Sequence, residues 1–273
     1  MPLRHDDIFV MSYQRSGTTW TQELVWLLAN NLDYVKAAAT PLAHRYFEKS
    51  VADKKYKDKS LEILEDSCKP VTDKLATAPS PRFIKSHLPL SLLPPPLLDT
   101  ARVVYVARDP RDVAVSYYHQ SRLFFYFYGI VGSFKDYWNL FIKDLIFLTP
   151  YFPHVKEAWE KRHHPNMLFL FYEELSKDLP AAVRRVADFL GKDLSTEELD
   201  RLCEHLSIDN FKKNKSVNYE DLKEYGLAAS DEFFIRKGKA GGWRVYFDEE
   251  MSQQAERWMA DDLRDTDLRF PDI

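Results

Sequence analysis

The residues from Asp7 to Trp20 constrain the fold of this chain more than any other segment. An apolar run, Asp7-Ile8-Phe9-Val10-Met11, predicts a β-strand, and apolar residues at positions 20, 24, 27 and 28 predict an amphipathic helix. A helix that starts directly after a strand presents unpaired amides and the positive end of its dipole to an anion. The segment therefore predicts a phosphate or sulfate site.

The loop between this strand and helix carries the side chains that an anion site needs. Arg15 supplies a fixed positive charge. Hydroxyl donors are supplied by Ser16, Thr18 and Thr19. Gly17 is the only glycine of the loop, and the G-x-x-x-x-G-K-[ST] pattern of ATP-binding loops occurs nowhere in the chain. Trp20, in the first helical turn, suits stacking on a purine, and a core position is the other interpretation.

Length, charge and cysteine content narrow the class of protein. The 273 residues suit one large α/β domain, which we expect to span 1–273, and the net charge of -4 disfavours a general nucleic-acid binder. No apolar run reaches the roughly 18 residues of a membrane span, and residues 1–7 contain no apolar signal core. Cys68 and Cys203 lack metal-site spacing and are interpreted as partly buried thiols. We expect a cytoplasmic protein without nucleic-acid or membrane partners.

Further strands and helices alternate along the chain. Strands are predicted at 82–87, 103–106 and 167–172, and helices at 180–190, 195–206 and 249–263. This alternation predicts a mainly parallel sheet with helices on both faces and with ligands at the carboxyl ends of the strands. The charge-rich segment 49–75 is predicted to form solvated helices and loops, as a lid over the core. The residues predicted at or just beyond strand ends are Arg15, His87, Arg108 and Tyr172.

Lys85-Ser86-His87 ends the second predicted strand. An extended chain places Lys85 and His87 on one face. There His87 can take a proton from a hydroxyl near neutral pH, and Lys85 can neutralise developing negative charge. The chain has eight histidines, so taken alone His87 would more often be structural.

Two more segments predict a second anion site. Arg108 follows the third strand, and Ser116 lies in the next predicted helix; an ion pair of Arg108 with Asp109 or Asp112 is an equally supported interpretation. The basic segment (residues 236–244) begins Arg236-Lys237-Gly238 and contains three glycines, whose backbone can wrap an anion. Two anion sites and a base indicate a nucleotide with two separated phosphate groups.

Taken together, these segments resemble the cytosolic sulfotransferases, which use 3′-phosphoadenosine 5′-phosphosulfate (PAPS), and indicate a divergent member of invertebrate type. The family's Y-P-K-S-G-T-T-W loop corresponds to Tyr13–Trp20, and its K-T/S-H element to Lys85-Ser86-His87. Its second phosphate motif corresponds to residues 105–119, its F-Y-E strand end to 171–173, and its R-K-G-x-x-G-x-W loop to 236–243. The motifs occur in the family's order across nearly the whole chain.

The resemblance implies a role for each matching position. Residues Arg15 to Thr19 would bind the 5′-phosphosulfate, and Trp20 would stack on adenine, with Tyr172, Ser207 and Phe234 nearby. The 3′-phosphate would be held by Arg108, Ser116, Arg236, Lys237 and Gly238. His87 would be the base of an in-line displacement, with a catalytic set completed by Lys85, Arg15 and Ser116. The product would be 3′-phosphoadenosine 5′-phosphate (PAP), and no metal is implied.

The chain departs from the family in four places. Gln14-Arg15 replaces Pro-Lys, and arginine keeps the charge but cannot donate a proton near neutral pH. Asp248-Glu249 replaces the Thr-Val of the family's dimer segment, so we expect a monomer or a different dimer. Ile208 stands where the family often has an adenine-stacking phenylalanine. The first strand begins near residue 7, whereas longer family members have a preceding stretch that helps to wall the acceptor pocket. We therefore expect a more open acceptor pocket.

Aromatic residues concentrate at 117–128, a region that contributes to the acceptor pocket in the family. The resemblance therefore implies a small hydroxylated apolar acceptor, such as a phenol, a steroid or an aromatic amine. Three alternatives remain. A nucleotide kinase is disfavoured because the sequence has no lysine-bearing phosphate loop, and a Golgi carbohydrate sulfotransferase is disfavoured because such an enzyme should carry an N-terminal membrane anchor. The third alternative is a PAPS-binding protein with little catalysis. His87 and Lys85 argue against the last.

Overall fold

A parallel five-stranded sheet forms the centre of the molecule. The computed structural model describes residues 2–49, 71–124, 132–220, 223, 228–229 and 231–272. The strands are β1 (Ile8–Met11), β2 (Phe47–Lys49), β3 (Phe83–Ser86), β4 (Arg102–Ala107) and β5 (Met167–Phe171). Their spatial order is β2-β3-β1-β4-β5, and all neighbours are parallel. The predicted α/β fold class is therefore confirmed.

Thirteen α-helices surround the sheet in the part of the chain that the structure describes. They are α1 (Thr18–Ala29), α2 (Tyr34–Ala39), α3 (Leu42–Arg45), α4 (Val71–Thr77), α5 (Leu97–Thr100), α6 (Pro110–Leu123), α7 (Phe134–Phe141), α8 (Tyr151–Glu160), α9 (Tyr172–Lys177), α10 (Leu179–Leu190), α11 (Thr196–Leu206), α12 (Ile208–Lys213) and α13 (Glu249–Asp262). The three helices predicted at 180–190, 195–206 and 249–263 are α10, α11 and α13.

The edge strand β2 was not predicted. It ends at Lys49, the first residue of the segment for which we predicted helices and loops. The end of that segment is helical in α4, and residues 50–70 lie outside the described part of the chain, as do Cys68 and the aromatic residues 125–128. Three residues are too few for the period-2 pattern that identifies a strand in a sequence.

Alternate strand residues divide the core between the two faces of the sheet, because successive side chains point in opposite directions. Phe9 and Met11 of β1 join a cluster with residues of α6, α7, α8 and α13. Ile8 and Val10 join a cluster with residues of α1, α10 and α11. The amphipathic pattern predicted for α1 was wrong in detail, because residues 21–28 are all buried between the sheet, α10 and α11.

The parallel register brings the candidate site residues to one edge of the sheet. Met11 is aligned with Ser86 of β3 and with Tyr105 of β4, and Ala107 with Phe171 of β5. The chain segments that follow these strands therefore emerge side by side, where ligands bind in parallel sheets. In the described ranges, no helix has both the length and the apolar character of a membrane span. Cys203 is a half-buried thiol, as predicted.

Candidate active site

The phosphate loop (residues 12–19) turns sharply between β1 and α1. Two of its residues have left-handed backbone conformations, Arg15 at φ 70° and Gly17 at φ 102°. A Cβ atom at Gly17 would lie 2.6 Å from Cδ2 of the Tyr172 ring, so only glycine fits there. No described side chain caps the first turn of α1. Its amides and dipole are thus directed at the loop, where they can bind an anion.

Three of the loop hydroxyls, those of Ser12, Ser16 and Thr18, are buried, and one of them fits an anion oxygen. Ser12 Oγ and Thr18 Oγ1 are 2.5 Å apart. Ser16 Oγ is also buried and has no hydrogen-bond partner among the described residues. A buried hydroxyl left without a partner is destabilising, by about 1–3 kcal/mol. Ser16 therefore fits a site where a phosphate or sulfate oxygen accepts its hydrogen bond. Thr19 lies half-buried in the first turn of α1.

Arg15 links the phosphate loop to the opposite side of the site. Its Nε donates to Ser116 Oγ of α6 at 3.1 Å, and one terminal nitrogen donates to the Phe234 carbonyl at 2.9 Å. The guanidinium carbon also lies 4.6 Å from the centre of the Phe234 ring. The structure thus brings together residues assigned to the 5′ and the 3′ sides of the nucleotide. Phe234 lies against Arg15, whereas we predicted it beside the adenine.

His87 follows β3, and its imidazole is oriented by the phosphate loop. Its Nδ1 lies 3.0 Å from the Ser12 carbonyl oxygen and 3.4 Å from Ser12 Oγ. A carbonyl only accepts, so Nδ1 carries the proton and Nε2 carries the lone pair. This is the tautomer that a general base needs when Nε2 faces the substrate. Lys85, two residues earlier, is half-buried in β3 and aligned with Val10 of β1.

Arg108 forms the ion pair with Asp112 that was one of the two interpretations made from the sequence, and its role at a phosphate stays a prediction. Its guanidinium lies 4.1 Å above the centre of the Tyr172 ring and 3.7 Å from the Asp112 carboxylate. One terminal nitrogen donates to the Lys239 carbonyl at 3.1 Å. Its buried Nε has no partner among the described residues, so Arg108 retains a donor that suits a phosphate. Asp109 pairs instead with Arg111, at 2.6 Å.

Asp112 anchors the basic segment to α6. Its two carboxylate oxygens accept from the backbone N–H groups of Gly241, at 2.7 Å, and Trp243, at 2.9 Å. Burial raises the pKa of this carboxyl, while Arg108 and the two amides lower it. Asp112 thereby holds the segment that begins with the half-buried Arg236 and the exposed Lys237 against α6, where the second anion site is predicted.

Gly238 and Ile208 fit closely against each other. Gly238 has φ 63°, and a Cβ atom there would lie 2.2 Å from Ile208 Cδ1. No side chain can replace the glycine without displacing Ile208 or the segment. Ile208, the residue that departs from the family pattern, therefore packs directly under the basic segment. The half-buried Ser207 precedes it as the N-cap residue of α12.

Three of the four residues predicted near adenine, Trp20, Tyr172 and Ser207, lie together. The rings of Trp20 and Tyr172 are 5.7 Å apart between centroids and tilted by 57°. The Trp20 indole N–H donates to the Leu206 carbonyl at 2.9 Å, which fixes Trp20 next to Ser207. These contacts hold the Trp20 ring between Tyr172 and the end of α11.

Glu173 is a buried carboxyl for which we predicted no role from the sequence. One of its oxygens accepts from the Asp109 N–H at 2.9 Å, and the other has no partner among the described residues. Burial raises its pKa to about 7, against backbone hydrogen bonds and Arg108, which lower it. The sequence does contain a signal for this buried carboxyl, because Glu173 follows a continuous apolar strand, and a charge buried at such a position is costly.

We expect the Glu173→Gln variant to gain stability relative to the parent protein as the pH rises. The proton on Glu173 stabilises the folded state fully below the unfolded pKa of 4.5, and this contribution is lost as the pH rises through about 7. Glutamine keeps the acceptor for Asp109 and does not titrate. The difference in free energy of unfolding should grow by roughly 3 kcal/mol from about pH 4 to about pH 8. Urea unfolding of both proteins measures it; a constant difference would contradict the raised pKa.

The segment that departs from the family's dimer motif has contacts within the chain. Asp248 caps α13 by accepting from the Met251 N–H at 2.8 Å. Lys135 of α7 lies 3.5 Å from Asp248 and 2.6 Å from Glu250. The acidic residues thus connect α7 to α13. A monomer or a different dimer stays a prediction.

The chain is similar to known sulfotransferases over most of its length. A family model described as a sulfotransferase domain matches residues 5–267. The chain is 37% identical to luciferin sulfotransferase of Photinus pyralis over 268 residues, covering 94% of this chain and 71% of that protein. It is 32% identical to sulfotransferase 1B1 of Canis lupus familiaris over 268 residues, covering 98% and 86%. The chain belongs to the family by both measures.

Two solved structures of a retinol dehydratase resemble the chain in both sequence and fold. One is a complex with androsterone and the inactive cofactor PAP, with 53% identity, a TM-score of 0.95, and coverage of 100% of this chain and 85% of that one. The other is a complex with retinol and PAP, with 53% identity, a TM-score of 0.95, and coverage of 99% and 85%. The described residues contain no cluster of His, Cys, Asp and Glu arranged to hold a metal ion. The motifs, the geometry and these comparisons place the chain in the sulfotransferase family, whose members transfer sulfuryl groups from PAPS.

Proposed function

We propose that this sulfotransferase moves the sulfuryl group of PAPS to the hydroxyl of an extended apolar alcohol, with His87 as the base. The observation that carries the proposal is the shared edge of the sheet, where the phosphate loop, His87, Arg108 and the basic segment meet. An anion cradle for each end of a bisphosphorylated nucleotide and an oriented base are the parts that sulfuryl transfer needs.

His87 takes the proton of the acceptor hydroxyl on Nε2 as the new oxygen–sulfur bond forms. The bond between sulfur and the leaving phosphate oxygen breaks in the same step, and PAP leaves as an anion. The Ser12 carbonyl, which accepts from Nδ1–H, keeps the proton-accepting lone pair on Nε2. Arg15 and Lys85 neutralise charge on the transferring group, so no acid has to protonate the leaving phosphate.

The nucleotide would lie across the phosphate loop and the basic segment. Ser16, Thr18, Thr19 and the amides of α1 would hold the 5′-phosphosulfate. Arg108, Ser116 and the residues from Arg236 to Gly238 would hold the 3′-phosphate. The Arg15–Ser116 hydrogen bond joins the two sets, so we expect the cradle to respond as one unit to substitution at either end.

The proposed acceptor class rests on the two retinol dehydratase structures. Their bound molecules, retinol and androsterone, are alcohols with a long apolar body. Identity of 53% over nearly the whole chain favours the same class here over small phenols. The expected acceptors therefore keep the steroids that the family resemblance implied, add other extended alcohols such as retinol, and disfavour small phenols. One domain over 1–273 and a cytoplasmic location stay predictions.

A second candidate function is dehydration of a polyene alcohol, which the similarity to retinol dehydratase favours. The sulfate ester of an allylic alcohol contains a good leaving group. Loss of sulfate, which departs with the bonding electron pair, leaves a conjugated carbocation, and loss of a neighbouring proton then gives one more double bond. In the overall reaction, the alcohol and PAPS are converted to the dehydrated polyene, sulfate, PAP and protons. No oxidant or reductant is needed.

Labelled PAPS offered with retinol, androsterone and 2-naphthol separates these functions. We expect PAP formation with the two extended alcohols, and chromatography of the retinol product to distinguish a sulfate ester from a dehydrated hydrocarbon. Androsterone, which is not allylic, serves as the control for simple sulfation. Transfer to none of the three, despite tight PAP binding, would favour a PAPS-binding protein and reject the proposal.

A further inference from the structure

We propose that His154 is a positioning residue for the base: this buried imidazole of α8 fixes the backbone of His87 and connects it to β4 and to the phosphate loop. The inference rests on the proposed role of His87 as base. His154 belongs to none of the motifs that carry the family resemblance. Its side chain is buried, with only 3% of the residue exposed.

His154 donates to the backbone of the base. Its Nε2 lies 3.0 Å from the His87 carbonyl oxygen. A carbonyl cannot donate, so this nitrogen carries the hydrogen. The bond forms just past Ser86, the last residue of β3 in register with β1. Beyond this point the sheet ladder no longer fixes the chain, so His154 extends the constraint to His87 itself.

Tyr105 fixes the tautomer of His154. Its hydroxyl oxygen lies 2.7 Å from His154 Nδ1, and because Nε2 holds the ring proton, Nδ1 accepts from Tyr105. Burial lowers the pKa of His154 to about 4, while hydrogen bonds to backbone carbonyls and the charge of Glu157 raise it. The ring is therefore neutral near pH 7. In this state one nitrogen donates to His87 and the other accepts from β4.

The same ring contacts the phosphate loop. The rings of His154 and Tyr13 are 5.6 Å apart between centroids and nearly perpendicular, at 87°. Tyr13 lies two residues before Arg15 and is itself held edge-on by Tyr151, at 4.9 Å. Thus a single imidazole contacts the chain after β1, the chain after β3, and β4. These are the three adjacent central strands of the sheet.

This arrangement controls the geometry between base and sulfuryl donor. The His87 imidazole is held at Nδ1 by Ser12, and the backbone of His87 is held by His154. If the second contact is lost, the base can move relative to the phosphate loop. Displacement of a reacting group by about 1 Å can cost on the order of 10²-fold in rate. The contacts proposed for the nucleotide do not include His87, so the affinity for PAP should not change.

Two amide variants of similar size test the proposal against a purely structural role. His154→Gln places an N–H near the position of Nε2 and keeps the bond to His87. His154→Asn reaches only the position of Nδ1 and loses that bond while remaining polar. We expect kcat with retinol and PAPS to fall about 10-fold or more in the asparagine variant and to stay within about 3-fold of the parent in the glutamine variant. The Kd for PAP should change less than about 2-fold in both.

The proposal is overturned if the two amide variants have equal kcat at the same melting temperature. It is also overturned if kcat in the variants falls only in proportion to the fall in melting temperature. If neither variant folds, Tyr105→Phe tests the proposal instead, because it removes only the hydroxyl that donates to His154 and keeps the ring. A lower kcat with unchanged PAP affinity then supports the proposal, and an unchanged kcat rejects it.

A readout without turnover separates this proposal from the proposed function. Nitrogen-15 NMR of histidine-labelled protein reports the tautomer of His87, with the signal assigned from the His87→Ala variant. We expect one tautomer, protonated at Nδ1, in the parent and in His154→Gln, and a mixture in His154→Asn. An identical spectrum of His87 in all three would reject the positioning role, even if no acceptor were turned over.

Discussion

Replacing His87 by alanine is expected to lower kcat for sulfuryl transfer by about 10³-fold and to leave the Kd for PAP within about 2-fold of the parent value. The proton of the acceptor hydroxyl then has no acceptor in the site, so the attacking oxygen must lose it to water. PAP affinity is retained because the contacts assigned to the nucleotide come from the phosphate loop, Arg108 and the basic segment. Steady-state kinetics with labelled PAPS and calorimetric titration with PAP measure the two quantities.

The control for this variant is His163→Ala, which removes an exposed histidine in the turn that follows α8. It should leave both quantities unchanged. His87→Gln adds a second comparison, since it can still hydrogen-bond but cannot serve as a base near neutral pH, and it should be as inactive as alanine. Activity of the glutamine variant near the parent value would contradict general-base catalysis by His87 and leave it a role in orientation only.

The fold and the location of the site could be predicted because their signals are local. The strand that ends at Met11 and the strand at 103–106 are continuous apolar runs, typical of strands buried on both faces. Parallel strands meet at one edge, so placing Arg15, His87, Arg108 and Tyr172 after strands was enough to predict one shared site. The edge strand β2 could not be predicted, since it has only three residues and gains its identity from pairing with β3.

Contacts between distant segments could not be predicted, because a linear sequence does not show which polar residues meet. Asp112 was considered only as an ion-pair partner of Arg108, yet it also binds two amides of a segment about 130 residues away. His154 gave no signal beyond a histidine in a helix, and its role depends on the ends of three strands. Ile208 looked like a weakened adenine contact and proved to be the surface on which Gly238 packs.

Arg15 is the most informative position at which the chain departs from the family. Its substitution by alanine is expected to lower kcat by about 10²-fold or more. Substitution by lysine should keep kcat within about 10-fold of the parent value. The leaving phosphate needs charge neutralisation, which lysine also provides. Lysine cannot reproduce the fork that donates to both Ser116 and Phe234 at once, so we expect a higher KM for PAPS in Arg15→Lys with a smaller effect on kcat.

The backbone conformation at Arg15 allows the arginine, lysine and alanine proteins to be compared directly. Its φ of 70° is left-handed, and arginine, lysine and alanine all carry a Cβ, so the local strain is similar in the three proteins. Differences in kcat and KM then report on the side chain. Ser116→Ala, which removes the hydroxyl that Arg15 contacts, should resemble the lysine variant, raising KM for PAPS with a modest loss of kcat. Equal activity of the parent, lysine and alanine proteins would show that residue 15 takes no part in the transfer, and the phosphate loop would then act through its amides and hydroxyls alone.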